Sequence, residues 1–144
     1  MQYQDLTTLL WNAAYPIIGP GTYTHAGKLD YSQSSIAEPF PHLNTFLPSD
    51  STPDAAQAVR TYRILFLAVD QEPADASPEQ KSAILAGMDL LIQKFITSLD
   101  SNELIAISGI RREPQPRSYA GGVSGYAAEL LITGHLQENA CPPG

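Results

Sequence analysis

The stretch from Ser77 to Leu99 constrains this chain most, because it encodes a long helix with one strongly apolar face. Ser77 is followed by Pro78 and, three positions on, by Gln80, a capping-box pattern that satisfies free backbone amides in a first helical turn. Apolar residues then recur at three- and four-residue steps: Ile84, Leu85, Met88, Leu91, Ile92, Phe95, Ile96 and Leu99. A helix with such a face has to bury it, and we predict that it packs against a sheet.

Candidate strands lie on both sides of this helix. Val59 to Asp70 begins with alternation and ends as a continuous apolar run, which predicts a central strand covered on both faces. Leu104 to Arg112 is rich in β-branched residues and Gly125 to His135 alternates, so we expect these two to pair as a long hairpin. Shorter candidates are Gly21 to His25 and His42 to Leu47, where nearby prolines favour a sheet edge or a strand end.

An N-terminal helix completes the predicted elements. Between Tyr3 and Ala14, apolar residues recur at helical spacing, and Pro16 disfavours helical geometry at Tyr15. The order of elements predicts an α+β fold, with a mainly antiparallel sheet packed by the N-terminal helix and the long central helix. We find no internal repeat and no separating linker, so we expect a single α+β domain over residues 1–144.

The charge balance limits the classes of partner. The chain has 144 residues and a formal net charge of −7, and this field repels phosphates and anionic membrane surfaces. We therefore expect no sequence-specific nucleic-acid binding and no membrane partner. The longest unbroken apolar run, Ile64 to Val69, is far shorter than the ~20 residues that span a bilayer. Asp5 stands where a secretion signal carries basic residues, which favours synthesis and use in the cytoplasm.

Gly122-Val123-Ser124-Gly125 is the only segment that suggests a nucleophilic serine. The nucleophile-elbow motif requires glycine where this chain has Tyr126, and the motif joins a strand to a helix, whereas Ser124 precedes a predicted strand. Neither a phosphate-binding loop pattern nor a dinucleotide-binding glycine pattern occurs. We predict that the chain has no catalytic residues and is not an enzyme.

Metal and cofactor sites are not signalled either. Cys141 is the only cysteine, which excludes an internal disulfide and any site built from several cysteines. Three histidines are scattered, with no two at the spacing that places imidazoles on one helix face. Three acids lack the glycine and the distant glutamate of a calcium loop, so they predict a solvated acidic turn. These histidines and acids are His25, His42 and His135, and Asp70, Glu72 and Asp75.

A basic cluster stands out in this acidic chain. Arg111, Arg112 and Arg117 lie close together around Pro114 and Pro116, at what the pattern predicts to be the tip of the hairpin. One interpretation is a solvated loop whose charges and prolines protect strand ends from aggregation. The other is a protein-interaction site, in which the basic tip of one copy contacts an acidic face of an identical neighbour, head to tail.

The order of these elements and their hydrophobic rhythm resemble small bacteriophage tail proteins, among them the tail terminator or tail-completion proteins that join head and tail. The resemblance spans most of the chain. Its segments are Leu9-Leu10-Trp11, Phe40-Pro41-His42-Leu43, Tyr62-Arg63-Ile64-Leu65-Phe66-Leu67, Leu91-Ile92-Gln93-Lys94-Phe95, Ile107-Ser108-Gly109-Ile110-Arg111, Tyr119-Ala120-Gly121-Gly122 and Gly125-Tyr126-Ala127-Ala128-Glu129-Leu130.

This resemblance implies a structural virion protein whose subunits assemble as a ring, usually a hexamer, that caps the tail tube. Its partners would be copies of itself together with tail-tube and neck proteins, in the tail or neck of a virion assembled in the host cytoplasm. The family offers no catalytic residues and no cofactor. Two other functions remain open: an acidic protein-binding module such as an immunity-type inhibitor, and a small cofactor-free enzyme. Self-assembly distinguishes the ring subunit from the inhibitor.

Overall fold

The computed structural model describes residues 3–19, 21–25, 40–50, 59–119 and 122–135. It contains α1 (Tyr3–Ala14), β1 (Thr22–His25), β2 (His42–Thr45), β3 (Ser49–Asp50), β4 (Val59–Gln71), α2 (Pro78–Asp100), β5 (Ile105–Tyr119) and β6 (Val123–His135). The six strands form one mixed sheet, and the predicted α+β fold is confirmed.

The sheet has the order β1-β2-β4-β6-β5, and β3 pairs with β4 as well. Strand β4 is central, as predicted, and pairs antiparallel with β6 along its whole length. The predicted pairing of β5 with β6 as a hairpin is also confirmed. The sheet is antiparallel except between β1 and β2, which the sequence did not reveal. Strands β1 and β5 are outermost, so each has one edge without a partner strand among the described residues.

Helix α2 begins as the sequence predicted. The Ser77 hydroxyl accepts a hydrogen bond of 3.2 Å from the backbone N–H of Gln80, and the Gln80 side chain accepts one of 2.8 Å from the N–H of Ser77. This reciprocal pair satisfies two amides that have no partner inside the helix. The apolar face of α2 is buried at Met88, Leu91, Ile92, Phe95 and Leu99 and partly buried at Ile84, Leu85 and Ile96.

The core lies between one face of the sheet and the two helices. Helix α2 crosses β4, β5 and β6, while α1 contacts α2 and β1. Phe66 of β4 and Phe95 of α2 meet edge to face, with ring centroids 5.0 Å apart and planes at 72°. This geometry suits the quadrupoles of aromatic rings, and both side chains are buried. The predicted stripe on α2 is therefore the central packing surface of the fold.

Helix α2 also has the length and apolar composition of a helix that could cross a membrane, at 23 residues. No unbroken apolar run marks this helix in the sequence, because charged and polar residues interrupt it. A core helix has the same composition, and five side chains of α2 are buried against the rest of this fold. Packing on the sheet is thus sufficient to explain its apolar face.

Strand β5 is longer than predicted. The sequence placed a proline-rich connection after Arg112, but the strand continues through Pro114 and Pro116 to Tyr119. Prolines are compatible with an edge strand, because the missing N–H matters only where a neighbouring strand would have accepted it. The three arginines of the predicted tip therefore lie within the strand, and the prediction of a basic hairpin tip was wrong in its placement.

Candidate interaction surface

The two faces of the sheet differ in what covers them. Along β4, Ile64 and Phe66 point to the face that packs against the helices, which we call the helix face, and both are buried. Leu65 lies between them on the opposite face and is 43 % exposed. We call this opposite side the open face and define it by Arg63, Leu65, Arg111, Glu113, Ala127 and Glu129. Neither described helix covers Leu65.

The open face is built from cross-strand rows. In one row, Leu65 of β4, Glu129 of β6 and Arg111 of β5 lie directly opposite one another. In the next row, Ala127 of β6 lies opposite Glu113 of β5. Residues opposite each other on one sheet face are close enough for their side chains to interact. A shallow cleft of about 130 Å³ lies here, lined by Leu65, Arg111, Arg112, Glu113, Ala127, Ala128 and Glu129.

A β-bulge determines which arginine reaches this cleft. The register of β5 on β6 shifts between Ser108 and Arg111, and Gly109 has a positive φ of 61°. A bulge inserts one extra residue, so the side chains beyond it change faces relative to a regular strand. Arg111 therefore lies opposite Glu129 on the open face, whereas Arg112 lies opposite Ala128 on the helix face.

The predicted basic cluster is thus divided by the fold. Arg112 reaches across the helix face to Asp89 of α2, with a nitrogen to oxygen distance of 2.8 Å. Arg111 projects from the open face, and Arg117 lies further along β5, with its side chain outside the described residues. Arg111 and Arg112 therefore do not act together as one tip. Arg112 instead ties the edge strand to the long helix.

Arg111 differs from the other arginines whose side chains the structure describes. The other three each form an ion pair with an acid of the same chain: Arg60 with Asp50 at 3.0 Å, Arg63 with Glu129 at 3.4 Å, and Arg112 with Asp89 at 2.8 Å. No ion pair or hydrogen bond of the Arg111 guanidinium occurs within the described part of the chain. An exposed guanidinium with five donors, in the same cleft as exposed Leu65, is well suited to a partner carboxylate.

The outer edge of β5 is protected against uncontrolled strand pairing. The bulge at Gly109 disrupts a flat edge, and Pro114 and Pro116 cannot donate backbone hydrogen bonds. Such features discourage open-ended addition of strands. Ile110, within the bulge, is nevertheless 49 % exposed. The edge therefore favours contacts through side chains over extension of the sheet.

A buried polar cluster links β1 to β2. The Thr24 hydroxyl donates to the side-chain oxygen of Asn44 at 2.7 Å and lies 2.8 Å from Nε2 of His42. Because the single hydroxyl proton is used toward Asn44, Nε2–H of His42 is the donor to Thr24. Asn44 and His42 are both buried. These bonds satisfy polar groups and fix the parallel register of the short strands.

A second set of bonds lies on the other side of the same strands. The Thr45 hydroxyl is 2.7 Å from the Tyr23 hydroxyl and 2.9 Å from Nδ1 of His25. Burial raises the pKa of Tyr23 to about 12, although its bond to Thr45 acts in the opposite direction. Burial also lowers the pKa of His25, which favours a neutral ring at pH 7. The Tyr23 hydroxyl and the His25 ring are therefore uncharged at pH 7, and their bonds to Thr45 hold β1 against β2.

The residues considered for chemistry are not assembled into a catalytic or metal site within the described ranges. Ser124 is fully buried inside β6, where a substrate could not reach its hydroxyl. His25 and His42 lie on adjacent strands but on opposite faces. Among the residues that the structure describes, no group of three His, Cys, Asp or Glu side chains could hold a metal ion.

One expectation about the acids was wrong. Glu72, assigned to a solvated turn, is buried, with 6 % of its surface exposed. Its backbone N–H donates to the carbonyl of Gly122 at 2.8 Å, which draws the residue against the β5–β6 turn. Asp75 is exposed as expected.

Sequence reasoning identified Arg111 but missed the residues around it. Leu65, Glu113, Ala127 and Glu129 carry no motif, and their grouping depends on the register of three strands. One signal was available in β4. Leu65 follows Thr61 and Arg63 at the two-residue period, so it marks the point where this face of β4 changes from polar to apolar.

No known protein-family model matches this sequence, and no curated protein matches it significantly.

Proposed function

We propose that this chain is a structural subunit that assembles with copies of itself into a closed ring, as a phage tail terminator or head–tail joining protein would. The unequal covering of its sheet carries this proposal. Two helices seal the helix face, whereas Leu65 on the open face and Ile110 on the β5 edge remain exposed. Apolar side chains on a sheet surface favour burial by a partner.

The form of the β5 edge supports a closed assembly. An unprotected edge of 15 residues would allow strands to add without limit, which leads to fibres. Here the bulge and the two prolines oppose such growth, while Ile110 and Leu104 stay available for side-chain contacts. In a ring each subunit uses two different surfaces, and the ring closes when the rotation between neighbouring subunits completes a full turn.

The charge of the chain limits where copies can meet. A net charge of −7 makes subunits repel one another in general. Contacts between copies are therefore favoured where acids and bases balance locally. The remaining acidic surface would be available for the tail-tube and neck proteins, which is the joining role that we propose.

The test is to measure the mass of the purified full chain by native mass spectrometry and by sedimentation, followed by electron microscopy. We expect a closed ring, most simply a hexamer, that binds the ends of isolated tail tubes. Replacing Ile110 with Asp should weaken ring formation, while the exposed residue Thr97, on α2, offers a matched control as Thr97→Asp. A chain that is monomeric at every concentration measured would contradict the proposal.

The acidic inhibitor is the second candidate, and the net charge of −7 is the observation that favours it. An inhibitor of this kind covers a basic site on one partner and has no need of self-assembly. A stable monomer that forms a one-to-one complex with a basic protein would favour the inhibitor over the ring subunit.

A further inference from the structure

The open face carries charges of both signs in a fixed order. Arg111 and Glu113 lie on the same face of β5, two residues apart, so their Cα atoms are about 7 Å from each other. Glu113 accepts only a long hydrogen bond of 3.4 Å, from the side chain of Gln115, and Arg111 has no ionic partner among the described residues. Each side chain is exposed. The chain thus presents one available base beside one available acid.

The acid directly opposite Arg111 is already engaged. Glu129 lies 3.4 Å from Arg63, and this pair compensates its charge on the open face. The exposed side chain of Leu65 lies in the same cross-strand row. The patch is therefore close to neutral. Leu65 lies at its β4 side, and the opposite charges of Arg111 and Glu113 lie at its β5 side.

We infer that the open face is a two-fold contact between copies of this chain, in which Arg111 of each copy pairs with Glu113 of the other. A two-fold axis that runs across the strands, between the two rows, exchanges those rows. It places each Arg111 over Glu113 of the partner subunit. It places each Leu65 over the row that holds Leu67 of the partner subunit, within an apolar cluster that includes Phe40 and Phe46. A contact with this symmetry is self-complementary, because the same surface serves both subunits.

Electrostatics makes this surface the favoured meeting point. Two molecules of charge −7 repel over most approaches, and a patch with balanced charge removes that repulsion locally. Arg111 paired with a carboxylate away from water also gains a stronger, geometrically defined bond. Leu65 supplies apolar area that leaves water in the same contact.

The inference rests on the proposed self-assembly and adds a contact to it. With the two-fold contact alone, the chain is a dimer. With the ring contacts as well, two rings stack through their open faces. A single ring without stacking would leave the proposed function intact and would reject this inference.

The experiment uses charge reversal and mixing. We expect Arg111→Glu and Glu113→Arg each to weaken the two-fold contact about tenfold or more, because each places like charges face to face. An equimolar mixture of the two variants should restore it, since every contact then joins opposite charges. The double variant Arg111→Glu with Glu113→Arg should also associate as the wild type does.

Two controls carry the same change in net charge elsewhere. Lys94→Glu lies on the exposed side of α2 and Glu103→Arg lies before β5, and both residues are exposed. We expect neither to alter the assembled mass. Circular dichroism of each variant establishes that the subunit is folded before its mass is compared.

Three outcomes overturn the inference. The first is wild-type mass for both folded single variants, and the second is failure of the mixture to restore the contact. The third is a wild-type chain that is monomeric, which would reject the ring proposal together with the inference. If each single variant forms a single ring in place of a double ring, and the mixture of variants forms the double ring again, the result supports both the ring proposal and the two-fold contact.

Discussion

The helix face and the open face of this sheet are made by the same strands, yet they have different physical characters. On the helix face, Ile64 and Phe66 meet α2 and are sealed from water. On the open face, Leu65 stands between them in sequence and lies in a row with two charged side chains. The comparison teaches that the helix face holds the subunit together, while the part of the open face around Leu65 is available for contact with another molecule. Further along the open face, Leu67 and Val69 are buried with Val123. Mutations at adjacent positions should separate these roles.

The largest effect is expected at the centre of the helix face. Phe95→Ala removes the ring that packs against Phe66 and leaves a cavity, so we expect a loss of about 3–5 kcal/mol in the free energy of unfolding. Leu90, on the same helix but 51 % exposed, is the matched control. Denaturant unfolding measures both. A loss below about 1 kcal/mol for Phe95→Ala would mean that the helix face is not the stabilising side.

Adjacent residues of β4 compare the two faces directly. Ile64→Ala should cost about 2–5 kcal/mol of unfolding free energy, because its side chain is buried on the helix face. Leu65→Ala should cost the isolated subunit less, since Leu65 is 43 % exposed and its truncation leaves no enclosed cavity. Its effect should appear in the assembled mass instead. Equal losses of stability for the two variants would erase the distinction between the faces.

The open face becomes buried toward Gly125 of β6. A substitution at Gly125 tests how closely β6 packs against β4 there. A Cβ atom at Gly125 would collide with the backbone of Ala68 and Val69 in β4. Since backbone cannot move aside as a flexible side chain can, Gly125→Ala should destabilise the fold by about 1–3 kcal/mol. Gly87→Ala, at an exposed position of α2 with open space around it, should stabilise slightly. Thermal melts of both variants provide the check.

The smallest effect concerns the polar end of the helix face, at His25. Burial lowers its pKa in the folded state, so the unfolded chain binds a proton more readily. The stability that depends on neutral His25 is present above the unfolded pKa of about 6.5 and is lost as the pH falls below it. The loss between pH 7 and pH 5 should be smaller in His25→Gln. An identical pH profile for the variant would contradict this assignment.

Much of the helix face could be predicted from sequence because its signals are local. The capping residues of α2 and its apolar stripe lie within one continuous segment, and helix geometry places them on one side. The change in β4 from alternating residues to a continuous apolar run likewise marks the point where the strand becomes buried on both faces. After Leu65 the strand is buried on both faces through Val69. Local patterns were sufficient here since each residue's environment follows from its neighbours in the chain.

The open face depended on relations that are distant in sequence. Which way Arg111 and Arg112 point is fixed by the bulge at Gly109, and a one-residue shift exchanges the two faces. A proline after Arg112 reads as a strand end unless the strand is known to be outermost, and strand order is a property of the whole sheet. The sequence by itself therefore determined the elements, the capped helix and the helix face. Only the tertiary structure decided that Arg112 pairs with Asp89 while Arg111 faces outward into the same cleft as Leu65, because register and strand order bring together residues that no local pattern connects.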